Sequence, residues 1–142
     1  MRNRLLLLIA ALVVLSGCQP EPYQPFPLSE GSSPLEPCPS TSNCVRESIQ
    51  LDGKHPPEVF ALAQKAAEGL NPVTISADDS LRLHAVYRVL VFRDDVHLAV
   101  EPAEDASILH IRSASRVGQS DLGVNRGRVN DFYRELESLL PN

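Results

Sequence analysis

LRLHAVYRVLVFRDDVHLAV, residues 81–100, decides the fold. Leu81, Leu83, Ala85, Tyr87 and Val89 alternate with Arg82, His84 and Arg88, and Val96, Leu98 and Val100 resume the alternation, the period of two that marks half-buried strands. Arg93-Asp94-Asp95 has the composition of a turn, so the stretch reads as an antiparallel hairpin. Inward positions are odd on one strand and even on the next, and a two-residue turn at Arg93-Asp94 then sets Leu90 opposite His97.

Working outward, Val73-Thr74-Ile75 is a short strand candidate, and Ile108 to Arg112 puts Leu109 and Ile111 on one face and His110 and Arg112 on the other. With a hairpin tip near Glu104-Asp105, His97 faces Arg112 and lies diagonal to His110, while His84 falls far from both. That geometry argues against a three-histidine metal centre, and His97 with His110 alone is a poor metal site. Pro56-Pro57 opens a helix whose Val59, Leu62, Ala63, Ala66 and Leu70 recur at helical spacing, and Gly69-Leu70-Asn71-Pro72 ends it. Val129, Phe132, Tyr133, Leu136 and Leu140 mark one face of a last helix with Asn125 as its N-cap. The expected fold is α+β: a two-layer sandwich in which an antiparallel meander of about four strands carries an N-terminal and a C-terminal helix on one face.

The chain starts MRNRLLLLIAALVVLSGCQP. Two arginines precede an apolar run from Leu5 to Leu15 that is too short to span a bilayer, so residues 1–17 read as a signal peptide. Leu15-Ser16-Gly17-Cys18 resembles the bacterial lipobox, which implies lipidation of Cys18, with palmitate among the acyl chains, and attachment to a membrane without spanning it. Gln19 stands where an aspartate would mark inner-membrane retention, so the expected address is the outer membrane, facing the periplasm. Residues 18–37 then form the lipidated cysteine and a proline-rich tether, an extended spacer reaching about 60 Å at most. Residues 38–142 form one globular domain.

The formal net charge is −5, and losing Arg2 and Arg4 with the signal would make it more acidic, which argues against nucleic acid as a partner. With Cys18 committed to lipid, Cys38 and Cys44 frame CPSTSNC and most simply form a disulfide in an exported protein. Closing so short a loop contributes on the order of 2 kcal/mol. Zinc would need more ligands than this segment supplies, and the spacing is not that of a redox pair.

CPSTSNCV, LVFRDDVHLAV and IRSASRVGQSDLGVNRGRV together resemble the domain-of-unknown-function family numbered 1499, over essentially all of residues 35–140. The resemblance implies an exported, envelope or organellar setting and brings no reaction, cofactor or ligand. Ser42 departs from the family's usual proline and Gln119 from its usual aromatic residue, which leaves any stacking role at position 119 without support.

Function therefore rests on the residues themselves. Arg112 and Arg116 offer planar donor forks suited to carboxylate or phosphate, and the start of the last helix adds a positive dipole end. One hypothesis is an anion-binding cleft lined by Arg112, Ser113, Ser115, Arg116, Ser120 and Asn125. Its structural counterpart is a network in which Arg112 and Arg116 pair with Asp94, Asp95 or Asp121 and the loop ties the fold together. The favoured function is a membrane-anchored periplasmic lipoprotein acting as a non-enzymatic binding or envelope-structural module, its partner an anionic small molecule or an envelope protein. The alternative is a small hydrolase or transferase that uses Asp94 or Asp95 with Arg112 and Arg116 on an anionic envelope substrate. No nucleophile elbow, phosphate loop, dinucleotide fingerprint, metal set or cofactor site is legible.

Overall fold

The computed structural model describes residues 19–141, so the signal-peptide segment and Cys18 lie outside the described residues. The elements run β1 (Cys44–Asp52), α1 (Pro56–Gly69), β2 (Thr74–Ala77), β3 (Arg82–Val89), β4 (Phe92–Pro102), β5 (Ala106–Ser115) and α2 (Val124–Leu139). The strands form one antiparallel sheet in the order β1-β5-β4-β3-β2. Five strands therefore replace the expected four. The added strand, β1, was masked in the sequence by Glu47, which interrupts the apolar series Val45, Ile49 and Leu51 on its inner face.

The β3–β4 hairpin turns at Leu90-Val91, three residues before the expected Arg93-Asp94. Leu90 takes φ 56°, a left-handed conformation that turn rules reserve for glycine, asparagine or aspartate. His84, not Leu90, consequently pairs with His97, and the two imidazoles stack at 4.5 Å. Asp94 and Asp95 lie within β4, where alternation sends them to opposite faces of the sheet. The β4–β5 hairpin keeps the expected register, with His97 opposite Arg112.

α1 and α2 pack on each other and cover the face bearing Ile49, Leu83, Leu98, Leu109 and Ile111. From α1, Val59, Ala63, Ala66 and Ala67 enter the core; from α2, Val129, Phe132, Tyr133 and Leu136 do. Each large apolar side chain buried here stabilises the fold by roughly 1.5–3 kcal/mol. Tyr87 on β3 donates its hydroxyl to the Ala67 carbonyl at 2.8 Å, which fixes the end of α1 against the sheet. No helix among the described residues is long and apolar enough to cross a membrane.

Cys38 and Cys44 are joined in a disulfide that ties the preceding loop to the first residue of β1. The proline-rich stretch does not stand clear as a spacer. Tyr23 N–H donates to Asn130 Oδ1 and Asn130 returns a bond to the Glu21 carbonyl, while Phe26 meets Tyr133 edge-on. Pro27 and Ser29 then bond the backbone of β1, and Leu35 is buried. Aromatic and backbone contacts thus outweigh the extended preference of the prolines, and residues 19–35 belong to the folded body.

Candidate functional site

Residues 112–125 leave the end of β5 and enter α2 through a buried polar knot. Ser113 Oγ donates to Asn125 Oδ1 at 2.6 Å, and Asn125 Nδ2 reaches the Asn43 carbonyl, Ser115 Oγ and Asp121 Oδ2 at 2.6–3.0 Å. Arg128, one turn along α2, donates to Ser113 Oγ, Asn125 Oδ1 and Asp94 Oδ2 and lies over the Tyr87 ring. Asp94 is 2% exposed, so this charge is buried and paired. Burial pushes the Tyr87 hydroxyl up to about 12, against the opposing pull of the Arg128 guanidinium.

Asn125 is not the N-cap. α2 starts at Val124 after Gly123, whose φ of 85° suits glycine, and Asp121 accepts the backbone N–H groups of Gly123 and Asn125. The helix dipole expected to await an anion is therefore already met by the Asp121 carboxylate. Asn43, held beside the disulfide, donates to the Gly118 carbonyl and fastens the loop's far side.

The sheet divides the six candidate residues. Ser113, Ser115 and Asn125 come together on the helix side. Arg112 and Arg116 lie on the open side, and Ser120 is exposed on the loop. Arg116 makes a two-point contact with Asp95 at 2.8 Å for both bonds, and His84 Nε2 meets the same carboxylate at 2.7 Å. The Arg116 guanidinium, with His84, holds the Asp95 carboxyl down at about 2. Asp94 is held by Arg128 and Asp95 by Arg116, so neither is the free carboxylate that the hydrolase alternative needs, and they do not share a face.

Along the open face Arg46, Arg112, His97 and His84 form one cross-strand row. The Nε atoms of Arg46 and Arg112 are buried without a hydrogen-bond partner among the described residues. Burial pushes both His97 and His110 down, and His110 sits between Ser48 and Glu101. No cluster of three or more His, Cys, Asp or Glu side chains able to hold a metal occurs among the described residues.

At the sheet end where the β3–β4 turn meets the β5–α2 loop, a cavity of about 550 Å³ opens between Leu90, Phe92, Val117, Leu122 and Val124, with the buried Asp94 also in its lining. Leu90 and Leu122 are 83% and 81% exposed, and Val91, Phe92 and Val117 extend the same apolar surface. Leu122, like Leu90, is left-handed, with φ 53°. Holding an L-residue there costs on the order of 1 kcal/mol.

A family model described as "Protein of unknown function (DUF1499)" matches residues 34–136. The chain belongs to the DUF1499 family. No curated protein matches it. Among solved structures, the chain is similar to the crystal structure of TTHA0849 from Thermus thermophilus, with 10% identity over 67% of this chain and 94% of that one and a TM-score of 0.40. The DUF1499 match spans the whole polar knot and both rims of the cavity and leaves residues 19–33 outside. Arg128 and Asn43 escaped the sequence reading; their available signals were the i,i+3 spacing of Asn125 and Arg128 and the asparagine beside Cys44.

Proposed function

We propose that this protein is an exported lipoprotein, anchored through Cys18 in the outer membrane and facing the periplasm, whose domain is a non-enzymatic interaction module. The short apolar run ending in Leu15-Ser16-Gly17-Cys18, followed by Gln19, supports the anchor and its address. The disulfide agrees with an oxidising compartment. One observation carries the functional part: Leu90 and Leu122, both left-handed and both more than four-fifths exposed, rim an apolar cavity. An exposed apolar cluster held at a conformational cost marks a contact surface. The carboxylates that a hydrolase would use are committed to arginines, so the polar loop is scaffold for that surface.

Two measurements test this reading. Cells grown with an alkyne-bearing palmitate should label the full chain and not Cys18→Ser, and equal labelling of both would refute the anchor. The neutral dye Nile red should brighten with the wild-type protein and much less with Leu90→Asp/Leu122→Asp, both changes being solvent-exposed and compatible with the fold. An unchanged response would refute the apolar surface. A second reading is favoured by the cross-strand pair Arg46 and Arg112, two neighbouring guanidinium groups whose Nε atoms have no hydrogen-bond partner among the described residues, a pair of a kind that suits a carboxylate or phosphate group. Inorganic phosphate should then raise the thermal midpoint of wild type and not of Arg112→Gln.

A further inference from the structure

The described chain begins against the same surface. Pro20 Cδ lies directly against the place a Cβ on Gly123 would take, and the Gln19 Cα lies 3.3 Å from it, between the exposed Leu122 and Val124. Gln19, the first described residue, therefore lies at the rim of the apolar cavity. An anchor at Cys18 and the leucine-bearing loops share one end of the molecule, and residues 19–35, packed on the domain, supply no spacer to separate that end from a bilayer.

The charge around the cavity has the matching sign. Arg88 and Arg93 form no ion pair among the described residues; their guanidinium groups fold back onto the Leu90 and Phe92 carbonyls at the hairpin tip. Arg116 flanks Val117, with its side chain 48% exposed and shared with Asp95. The nearby acids are engaged: Asp94 with Arg128, Asp121 with the start of α2, and Asp131 with Arg134. A protein of net charge −5 thus presents apolar side chains edged by arginines at the end where its chain leaves. Arginines so placed bury their stems at an interface and keep their heads with anionic lipid headgroups.

We propose that Leu90, Val91, Phe92, Val117 and Leu122 form a membrane-docking surface that seats the domain directly on the bilayer holding its anchor. This rests on the lipid-anchor reading and supplies the occupant of the apolar end. The sheet then stands on the membrane, with the β4–β5 hairpin pointing away. β4 is 11 residues long, so the two ends of the sheet are separated by about 35 Å.

The test uses full-length processed protein reconstituted on vesicles of phosphatidylethanolamine and phosphatidylglycerol with brominated acyl chains. An environment-sensitive fluorophore is placed at Val91→Cys or at Glu104→Cys, both exposed, the second at the far hairpin. Docking predicts that brominated lipid lowers emission from position 91 by about twofold or more and leaves position 104 unchanged, as expected for a group at the acyl boundary. Leu122→Asp should relieve the quenching at 91 while the protein stays on the vesicles. Equal emission at both positions, on protein whose Cys18 is acylated by mass spectrometry, overturns docking and leaves the anchor standing. A blue shift at 91 that brominated lipid does not quench assigns the surface to a second copy or another protein and also overturns docking. An unmodified Cys18 overturns the anchor and docking together.

Discussion

Replacing Arg128 by methionine keeps most of the side-chain volume and removes the charge from a site where Arg128 and Asp94 side chains are 10% and 3% exposed and 2.8 Å apart. Asp94 would be left as a buried carboxylate without its cation, a loss measured elsewhere at about 3–5 kcal/mol. Ser113 and Asn125 still satisfy each other, so their bonds to Arg128 add little, and the loss of the guanidinium over Tyr87 adds about 0.5–1 kcal/mol. The expected cost is about 4 kcal/mol, a quarter or more of the stability of an ordinary domain. Urea unfolding of the oxidised protein at pH 7 should show a lower midpoint at unchanged slope. Arg128→Met/Asp94→Leu should recover most of the loss, because an apolar pair replaces the orphaned charge. Arg116→Ala, which breaks a half-exposed pair, should cost at most about 1 kcal/mol. The account of the knot is refuted if Arg128→Met costs less than Arg116→Ala, or if the double variant is no better than the single one.

Acid should weaken the fold through Asp95. Its folded carboxyl sits at about 2, below the unfolded value, so its contribution is present above about pH 4 and is lost as pH falls toward 2; urea unfolding should show a loss of about 1 kcal/mol, less in Asp95→Asn. Two histidines set a second window: His97 and His110 are pushed down by burial, so the unfolded chain takes protons first and stability falls as pH drops below about 6.5. A double variant His97→Gln/His110→Gln should flatten the profile between about pH 7 and 5, and an unchanged slope would count against burial as the cause. Gly123→Ala meets both a φ of 85° and the Pro20 ring; limited proteolysis should cut near residue 20 faster, with a stability loss of about 1–2 kcal/mol. Equal cleavage of both proteins would show that the Pro20 contact is not maintained.

Apolar alternation was strong where the sheet has one wet face, and β3, β4, β5 and the buried faces of both helices could be read from it. β1 could not, because Glu47 occupies an inner position that Arg126 and Tyr133, brought by α2, make tolerable. The hairpin tip was misplaced for a related reason: Asp94-Asp95 has turn chemistry, and an arginine more than thirty residues away converts the first aspartate into a buried partner. A leucine at positive φ carries no sequence signature. The expected anion site named six residues near in sequence, but alternation along β5 sends Arg112 and Ser113 to opposite faces, and Asp121 fills the helix end that the cleft required. The network reading of Arg116 with Asp95 was recoverable from residue types alone, and the structure shows that pair.

The place of β1 beside β5 also sets an order of assembly. The meander from β2 to β5 closes through neighbouring hairpins, but Cys44 must find Ala114 and Asp52 must find Ala106 across most of the domain. Loop-closure entropy makes such pairings late and slow relative to hairpins. Residues 19–35 lie on β1 and α2, so they gain their backing only after β1 docks. Residues 19–35, made before any strand of the sheet, are thus the last of the described residues to find their place, and the β1 edge that β5 covers stays open until β5 is made.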